Sequence, residues 1–325
     1  MRNEEVPKIF IAATALVVGI GGIWALFLTV DNLVSQLPLK ARDFFRPYVF
    51  IGPAFIILSI YIIFPTLRTL YISFFDYTRG GSPENFGLQN YAAIFKDPAL
   101  LMAIRNNVLW LLFVPTFSVS LGLIIAVLVD RIRWEKWAKS LVFLPMAISF
   151  VGAAVIWRFV YYLALWGEQI GLLNAIVVAL GGEAVGWLRL EPWNNLFLIA
   201  IMIWLQTGFA MVILSSAVKG VPGSLLEAAR IDGAGELRIF FQVIIPYVSG
   251  TILTVTTTIV ILVLKIFDVV FVMTSGRFNT DVIANMMYNQ MFRQGQYGRG
   301  AALAVIIFIA VSPVMIRNIR NMNKV

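Results

Sequence analysis

Two ionisable residues inside a long apolar segment are the first candidates for chemistry. Lys265 and Asp268 lie in the second half of the segment formed by residues 243–273. A charged side chain at the centre of a membrane costs roughly 2.5 to 3.5 kcal/mol on insertion scales, so each needs a partner. At a spacing of three residues the two would share a helix face and neutralise each other. The pair is either a structural brace or part of a polar cavity that hydrogen-bonds the hydroxyl groups of a neutral substrate.

A second polar group lies in the preceding apolar segment, residues 196–218. Gln206 and Thr207 place an amide and a hydroxyl group near the middle of this segment. Trp204 and Phe209 beside them offer rings on which sugars stack, although an aromatic side chain in a membrane helix more often serves only for packing. The candidate substrate-binding residues are Trp204, Gln206, Thr207, Phe209, Lys265 and Asp268.

The composition argues against catalysis, a metal site or nucleic-acid binding. The sequence has no histidine and no cysteine, which removes the commonest metal ligand and general base together with thiolate chemistry. It has no GxxxxGK[ST] sequence, so nucleotide hydrolysis would have to come from a partner protein. The net charge is +8, but lysine and arginine occur singly or in short clusters between apolar runs. We therefore expect no catalytic residue, no metal and no cofactor in this chain.

The elements that position these residues are predicted membrane spans. Of the 325 residues 60% are hydrophobic and only 13% are charged, which is not the composition of an ordinary soluble domain. Apolar segments long enough to cross a hydrocarbon core of about 30 Å alternate with polar loops. The expected fold is all-α and polytopic, with six core transmembrane helices and one N-terminal apolar helix at residues 9–30. The six core segments are residues 48–67, 108–129, 141–163, 196–218, 243–273 and 300–316.

The N-terminal segment leaves two alternatives open. A cleaved signal peptide is disfavoured because Glu4 and Glu5 dilute the positive start. Glycines in the segment would also allow a bent helix at the membrane interface instead of a span. The basic residues Lys40, Arg42 and Arg46 follow in what we interpret as a short cytoplasmic linker.

Basic residues also set the expected orientation. They concentrate in the loop at residues 131–139, in the loop around residue 227 and in the C-terminal tail. These basic residues include Arg131, Arg133, Lys136, Lys139, Arg317, Arg320 and Lys324. By the positive-inside rule these parts face the cytoplasm, and the chain is a multi-pass protein of the cytoplasmic (inner) membrane.

The loop at residues 164–195 is expected on the outer side because its charges are mostly acidic. Residues 170–180 within it are apolar but too short to cross, which predicts a helix along the membrane surface. Arg158 is close enough to the outer end of its span to extend to the interface, beside an aromatic belt that includes Tyr161 and Tyr162.

A polar interruption at residues 221–247 separates two apolar segments. Ser224 and Glu227 form a capping-box pattern, which predicts a helix from Leu225. Residues 232–235 then break the helix, and a second short helix runs from near Glu236 towards Pro246. Small residues beside an acid make a surface that another protein's cleft can receive. Spacing alone leaves a docking element and an ordinary capped loop equally open.

The loop contains a Glu-Ala-Ala sequence followed by a glycine, and it ends in two aliphatic residues and a proline. These residues are Glu227, Ala228, Ala229, Gly233, Val243, Ile245 and Pro246. On them the loop resembles the EAA loop of ABC importer permeases. The sequence IDGA at residues 231–234 is similar to the sugar-permease branch, and the sequence around residues 267–288 is similar to α-glucoside and glucosylglycerol permeases. The resemblance implies an ABC type I importer permease, with an N-terminal part at residues 1–47 and a permease core at residues 48–325. The implied ATPase-coupling residues are Glu227, Ala228, Ala229, Asp232 and Gly233.

The resemblance also implies partners. Such permeases work with a second permease subunit as a heterodimer, two cytoplasmic ATPase subunits that carry ATP and Mg, and an extracytoplasmic solute-binding protein. In the disaccharide permeases the sugar contacts lie on the helices either side of the EAA loop. By distance from Glu227 these positions fall here on Met202, Gln206, Phe209, Ile259, Val263 and Ile266. Most of them are apolar, which suggests a different substrate or a site shared with the second permease.

An ion-coupled secondary transporter is the alternative function. In that case Lys265 and Asp268 would be the residues that couple ion movement to transport. A requirement for ATP or for a proton gradient separates this alternative from an ATP-driven importer of a sugar or glycoside.

Overall fold

The computed structural model describes residues 5–130 and 132–322. Glu4, Arg131 and Lys324, which contributed to the expected orientation, lie outside these residues. The described part of the chain is helical without a β-strand, which confirms the all-α prediction. It divides into two compact units, Met1–Thr69 and Leu70–Val325.

The first unit is a pair of helices, α1 (Glu5–Ser35) and α2 (Leu39–Leu58). They are held together by ring contacts such as Phe27–Phe50, with centroids 6.0 Å apart, and by an ion pair of 3.3 Å between Arg46 and Asp31. Because α2 already begins at Leu39, the predicted linker is mostly helix. Pro38 occupies the N-cap of α2, where its fixed φ angle suits the start of a helix.

After α2 the helical path continues to Ile72. A π-helical segment (Ser59–Ile63) joins α2 to α3 (Phe64–Ile72). Pro65 follows this segment and has no backbone N–H to donate, so the wider turn accommodates the missing hydrogen bond. The first core span, Leu39–Ile72, is therefore longer than the span predicted at residues 48–67.

The second unit contains the remaining spans and the short helices between them. Its elements are α4 (Gln89–Lys96), α5 (Pro98–Val129), α6 (Glu135–Phe143), α7 (Phe150–Val160), α8 (Leu172–Ala179), α9 (Asn194–Lys219), α10 (Gly223–Ile231), α11 (Glu236–Ile239), α12 (Ile245–Tyr247), α13 (Ser249–Leu264), α14 (Asp268–Met273), α15 (Ile283–Tyr288) and α16 (Tyr297–Met322). Short 3₁₀ turns follow α6 and α8, and π-helical segments follow α11 and α15.

Five helices among the described residues are long and apolar enough to cross a membrane, and the number rises to seven if each of two bent helix pairs is one span. The bent pairs are Glu135–Ala147 with Phe150–Val160, at 102°, and Glu236–Tyr247 with Ser249–Leu264, at 72°. Counted this way, the spans agree with six core segments and one N-terminal segment. The outer surface helix expected at residues 170–180 is α8.

Two predicted boundaries were wrong for local reasons. The span predicted to be continuous at residues 141–163 breaks at Ile148, because Ser149 caps α7 by accepting a hydrogen bond of 3.1 Å from the Gly152 N–H. The span predicted to begin at residue 108 begins at Pro98. There Asp97 caps the helix by accepting a bond of 2.9 Å from the Ala99 N–H.

The core of this unit is the close packing of α5 on α9. A Cβ atom added at Gly122 would lie 2.7 Å from Ala210 Cβ and 2.8 Å from the Met211 backbone nitrogen. Only glycine permits this approach, and small residues at such contacts are the usual means by which helices associate in lipid. Helix α9, which carries Gln206 and Thr207, is therefore packed directly against the backbone of α5.

Buried asparagines fasten the N-terminal parts of α5 and α9 to the loop after α14. Asn106 Nδ2 donates to the backbone oxygens of Asn279 and Asp281, each at 2.8 Å. Asn194 Nδ2 donates to the Phe278 oxygen at 2.6 Å. Burial raises the pKa of the Asp281 carboxyl group in this loop. Each asparagine satisfies backbone groups that the irregular loop would otherwise leave unpaired.

Candidate coupling loop and substrate path

Residues 221–247 form two short helices about a glycine turn, as predicted. Helix α10 begins at Gly223 and not at Leu225, and no side chain caps it. Pro222 occupies the N-cap position, so Ser224 lies within the first turn and its hydroxyl group cannot act as the cap. The predicted capping box between Ser224 and Glu227 is therefore wrong.

The turn between α10 and α11 depends on Gly233. This residue has φ +78°, a left-handed backbone angle that glycine adopts without strain. The Gly233 N–H donates to the Arg230 oxygen at 3.0 Å, and the Ala234 N–H donates to the Ala229 oxygen at 2.9 Å. These two bonds are the pattern of a Schellman motif, which closes the end of α10. Across the turn Arg230 pairs with Glu236 at 3.0 Å.

The predicted coupling residues divide between two faces of this loop. Glu227, Ala228, Asp232 and Gly233 are exposed. Ala229 is half-buried and packs against the core of the unit. The loop therefore presents two acidic and two small residues outward, while its second alanine packs α10 against the spans.

Two further residues of the loop were missed by the sequence analysis. Ile231 is 86% exposed and Leu237 is 77% exposed, on either side of the glycine turn. Large apolar side chains exposed on a loop outside the spans are candidates for an interaction surface. The available signal was the presence of aliphatic residues in a polar loop that needs none to fold.

A charged cluster ties three helices together where the coupling loop begins. Lys139 of α6 bonds to Asp130 at the end of α5 and to Ser215 of α9, and it donates to Glu135 at 2.7 Å. Ser215 Oγ donates to Asp130 at 2.9 Å, and Lys219 at the end of α9 pairs with Glu135. In the sequence, Lys139 indicates only that the loop at residues 131–139 faces the cytoplasm. The acids four and nine residues before it were the available signal.

The candidate substrate residues on α9 are mostly buried. Gln206 and Thr207 are buried, and Thr207 Oγ1 donates to the Ile203 oxygen at 2.7 Å. Trp204 packs edge-on against Trp157, with centroids 5.7 Å apart, and Phe209 is half-buried. The positions carried over from the disaccharide permeases outside this group are also buried. They are Met202, Ile259, Val263 and Ile266.

Lys265 and Asp268 do not share a helix face. Helix α13 ends at Leu264 and α14 begins at Asp268. No ion pair within 4 Å joins the Lys265 and Asp268 side chains. The predicted mutual neutralisation is therefore wrong. The break has a backbone cause, since the Ile266 N–H turns back to the Val263 oxygen at 3.1 Å and Phe267 has φ −137°. Asp268 instead lies in the first turn of α14, where a helix favours negative charge.

Both sides of this break pack against α9. The structure thus brings the helix that carries Gln206 and Thr207 next to the unwound segment between Lys265 and Asp268. Lys265 is exposed and Asp268 is half-buried. Irregular backbone at membrane depth is tolerated only where it is buried in protein or lines a cavity.

The chain is similar to several known transport proteins. Residues 92–321 match the family described as "binding-protein-dependent transport system inner membrane component". The osmoprotective compounds uptake permease protein GgtC of Synechocystis sp. is 58% identical over 274 residues, which cover 84% of this chain and 97% of that protein. The α-glucoside transport system permease protein AglF of Rhizobium meliloti is 53% identical over 291 residues, which cover 89% and 85%.

A solved structure shows the same fold. It is the crystal structure of a bacterial ABC transporter involved in the import of the acidic polysaccharide alginate. The TM-score is 0.74 at 18% identity, with 87% of this chain and 97% of that chain covered. The similarity confirms the all-helical fold expected from the sequence.

Proposed function

Because the chain belongs to the family of binding-protein-dependent transport system inner membrane components, and is a multi-pass transport component and not an enzyme, we propose that its cargo is a sugar or glycoside. The observation that carries the proposal is the high identity, across most of both chains, to relatives whose names specify osmoprotective compounds and α-glucosides. An α-glucoside or a glucosylglycerol-like osmolyte is the substrate class that fits both names.

The exposed loop about Gly233 is the proposed contact with the ATPase subunits. Its exposed residues include Glu227 and Ala228, with the apolar side chains of Ile231 and Leu237, which a partner's cleft can bury. The proposed assembly contains a second permease, two ATPase subunits that bind ATP and Mg, and an extracytoplasmic binding protein. Closure of the ATPases moves the docked loops together and opens the substrate path outward.

The proposed substrate path runs beside the break between α13 and α14. Gln206 and Thr207 on α9, with Lys265 and Asp268 at the break, supply the polar groups. Trp204 and Phe209 supply rings beside them. Support comes from the cost of placing an amide and an unwound backbone within a span, which a packed membrane core without a path would not require.

ATP dependence is the test of this function. The importer is purified with its co-purifying subunits, reconstituted in liposomes, and supplied with binding protein and radiolabelled sucrose. We expect uptake only with ATP and binding protein, and no change when an ionophore removes the proton gradient. The family supports this outcome, and the ion-coupled alternative predicts the reverse. Uptake that needs the gradient and ignores ATP would contradict the proposal.

Single cysteines test the proposed orientation, since the chain has none of its own. Ser224 in the coupling loop and Glu183 in the loop after α8 are both exposed. We expect an impermeant thiol reagent to label Glu183→Cys in intact cells and Ser224→Cys only after permeabilisation. The reverse pattern would place the coupling loop, and with it the C-terminal tail, outside.

A further inference from the structure

An open cavity of about 480 Å³ lies where α7, α14 and the loop before α9 meet. Its lining includes two arginines and four aromatic residues, Arg158, Tyr162, Trp166, Trp187, Arg189 and Phe278. Helix α9 begins beside this loop, is 26 residues long and ends at the coupling loop, a rise of roughly 39 Å. The cavity therefore lies on the face of the membrane opposite the coupling loop.

Asn174 of α8 connects the segments that line this cavity by hydrogen bonds. Its Nδ2 donates to the backbone oxygens of Tyr162 and Val185, each at 3.0 Å. Its Oδ1 accepts bonds from the Val185 N–H at 2.9 Å and from Trp187 Nε1 at 3.1 Å. The Asn174 side chain is 0% exposed, so these bonds form away from water. The segments on the two sides of the cavity are thus fixed to each other before any ligand arrives.

The cavity offers hydrogen-bond donors and ring faces. Arg158 and Arg189 have no acidic partner among the residues that the structure describes, and the cavity lining contains no carboxylate. The Arg189 guanidinium group lies 5.6 Å from the centre of the Phe278 ring, which leaves its outer N–H groups to donate. Trp166 is 91% exposed at the rim. A guanidinium group presents several donors in a rigid plane, which suits adjacent hydroxyl oxygens.

We propose that this cavity is an entry site that holds a neutral glycoside between its release from the binding protein and its passage along α9. The inference rests on the proposed function and adds a second place at which the substrate is bound. The volume lies within the roughly 300–1,000 Å³ of small-molecule sites. An acidic surface of a partner protein would also attract the arginines, but it would make no use of a preformed concave site with aromatic rings.

Direct sucrose binding tests the site. The permease is assembled with its ATPase and second permease in lipid nanodiscs, without the binding protein, which would itself bind the sugar. Equilibrium dialysis with radiolabelled sucrose then measures Kd. We expect Arg158→Met and Arg189→Met each to weaken binding about tenfold, and Arg158→Lys to leave it weak because lysine keeps the charge but loses the planar donors. ATP hydrolysis and the amount of assembled complex should not change.

Arg293→Met is the matched control. Arg293 is also exposed, and it lies 5.3 Å from the Phe271 ring centre, but it does not line the cavity. Its loss should leave sucrose binding unchanged. The proposal would be overturned by unchanged Kd values in Arg158→Met and Arg189→Met. Recovery in Arg158→Lys, together with binding that falls steeply with salt, would also overturn it, since that is the behaviour of an anion site.

Two results separate this inference from the function on which it rests. ATP-driven sucrose uptake without measurable sucrose binding by the wild-type nanodisc complex overturns the entry site and leaves the function intact. Absence of ATP-driven uptake of any glycoside by the wild-type importer contradicts the function itself.

Discussion

The Gly233→Val substitution is expected to abolish ATP-driven uptake, while the permease still reaches the membrane at its normal level. The backbone at Gly233 has φ +78°, which a β-branched residue adopts only at a cost of about 1 to 3 kcal/mol. An added Cβ atom would meet no neighbour within 4 Å, so the penalty comes from the backbone angle and not from a clash at Cβ. Relief of this strain opens the two bonds that close α10 and changes the direction of α11.

The spans should survive this change because they are held by their own packing in lipid. The measurement is the amount of ATPase that co-purifies with the permease, together with substrate-stimulated ATP hydrolysis. Gly235→Val is the matched control two residues away. Gly235 has φ −70° and ψ 161°, which valine adopts readily, and it also has open space at its Cβ position. Full ATPase retention by Gly233→Val would show that this turn is not the coupling element.

Methionine at position 139 is expected to lower the stability of the purified permease by up to about 3 kcal/mol. The Lys139 and Asp130 side chains are only 19% and 13% exposed, and removal of the lysine leaves the Asp130 carboxylate largely without a counter-charge. Ser215, near the end of α9, then loses its hydrogen bond to α6. Because α9 leads directly into α10, weaker ATPase retention should accompany the loss of stability.

Lys136→Met is the control, since Lys136 is exposed and lies three residues earlier on the same helix. A thermal unfolding series in detergent compares the two variants. The double change Asp130→Leu with Lys139→Met should recover much of the lost stability, because neither charge is then left alone. A Lys139→Met protein as stable as Lys136→Met would show that the cluster does not hold these helices together.

The sequence predicted best where local chemistry determines the backbone. The spans follow from apolar length, and the turn at Gly233 follows from a glycine that must end one helix and begin another. The capping box was wrong because Pro222 moved the start of α10 by two residues, and a cap depends on that exact register. A shift of this size is smaller than sequence patterns resolve.

The failures of prediction at the candidate sites have a different origin. The break after Leu264 carries neither proline nor glycine, so no local signal separates Lys265 from Asp268. Lys139 and Ser215 are 76 residues apart in the chain, and Asn106 and Asp281 are 175 apart. Such contacts depend on how the helices pack, which a single sequence does not show.

The break at Ile148 and Ser149 divides one span into two self-contained parts. The Ile148 N–H is bonded to the Pro145 oxygen on one side, and Ser149 caps α7 on the other, so neither part borrows a helical hydrogen bond from its neighbour. A change of the angle between α6 and α7 therefore needs only the rotation of a few backbone dihedral angles and breaks neither of these hydrogen bonds. Bending a continuous helix by 102° would break several such bonds. In this span the resistance to bending thus comes from side-chain packing, and a rearrangement of neighbouring helices is sufficient to set the angle.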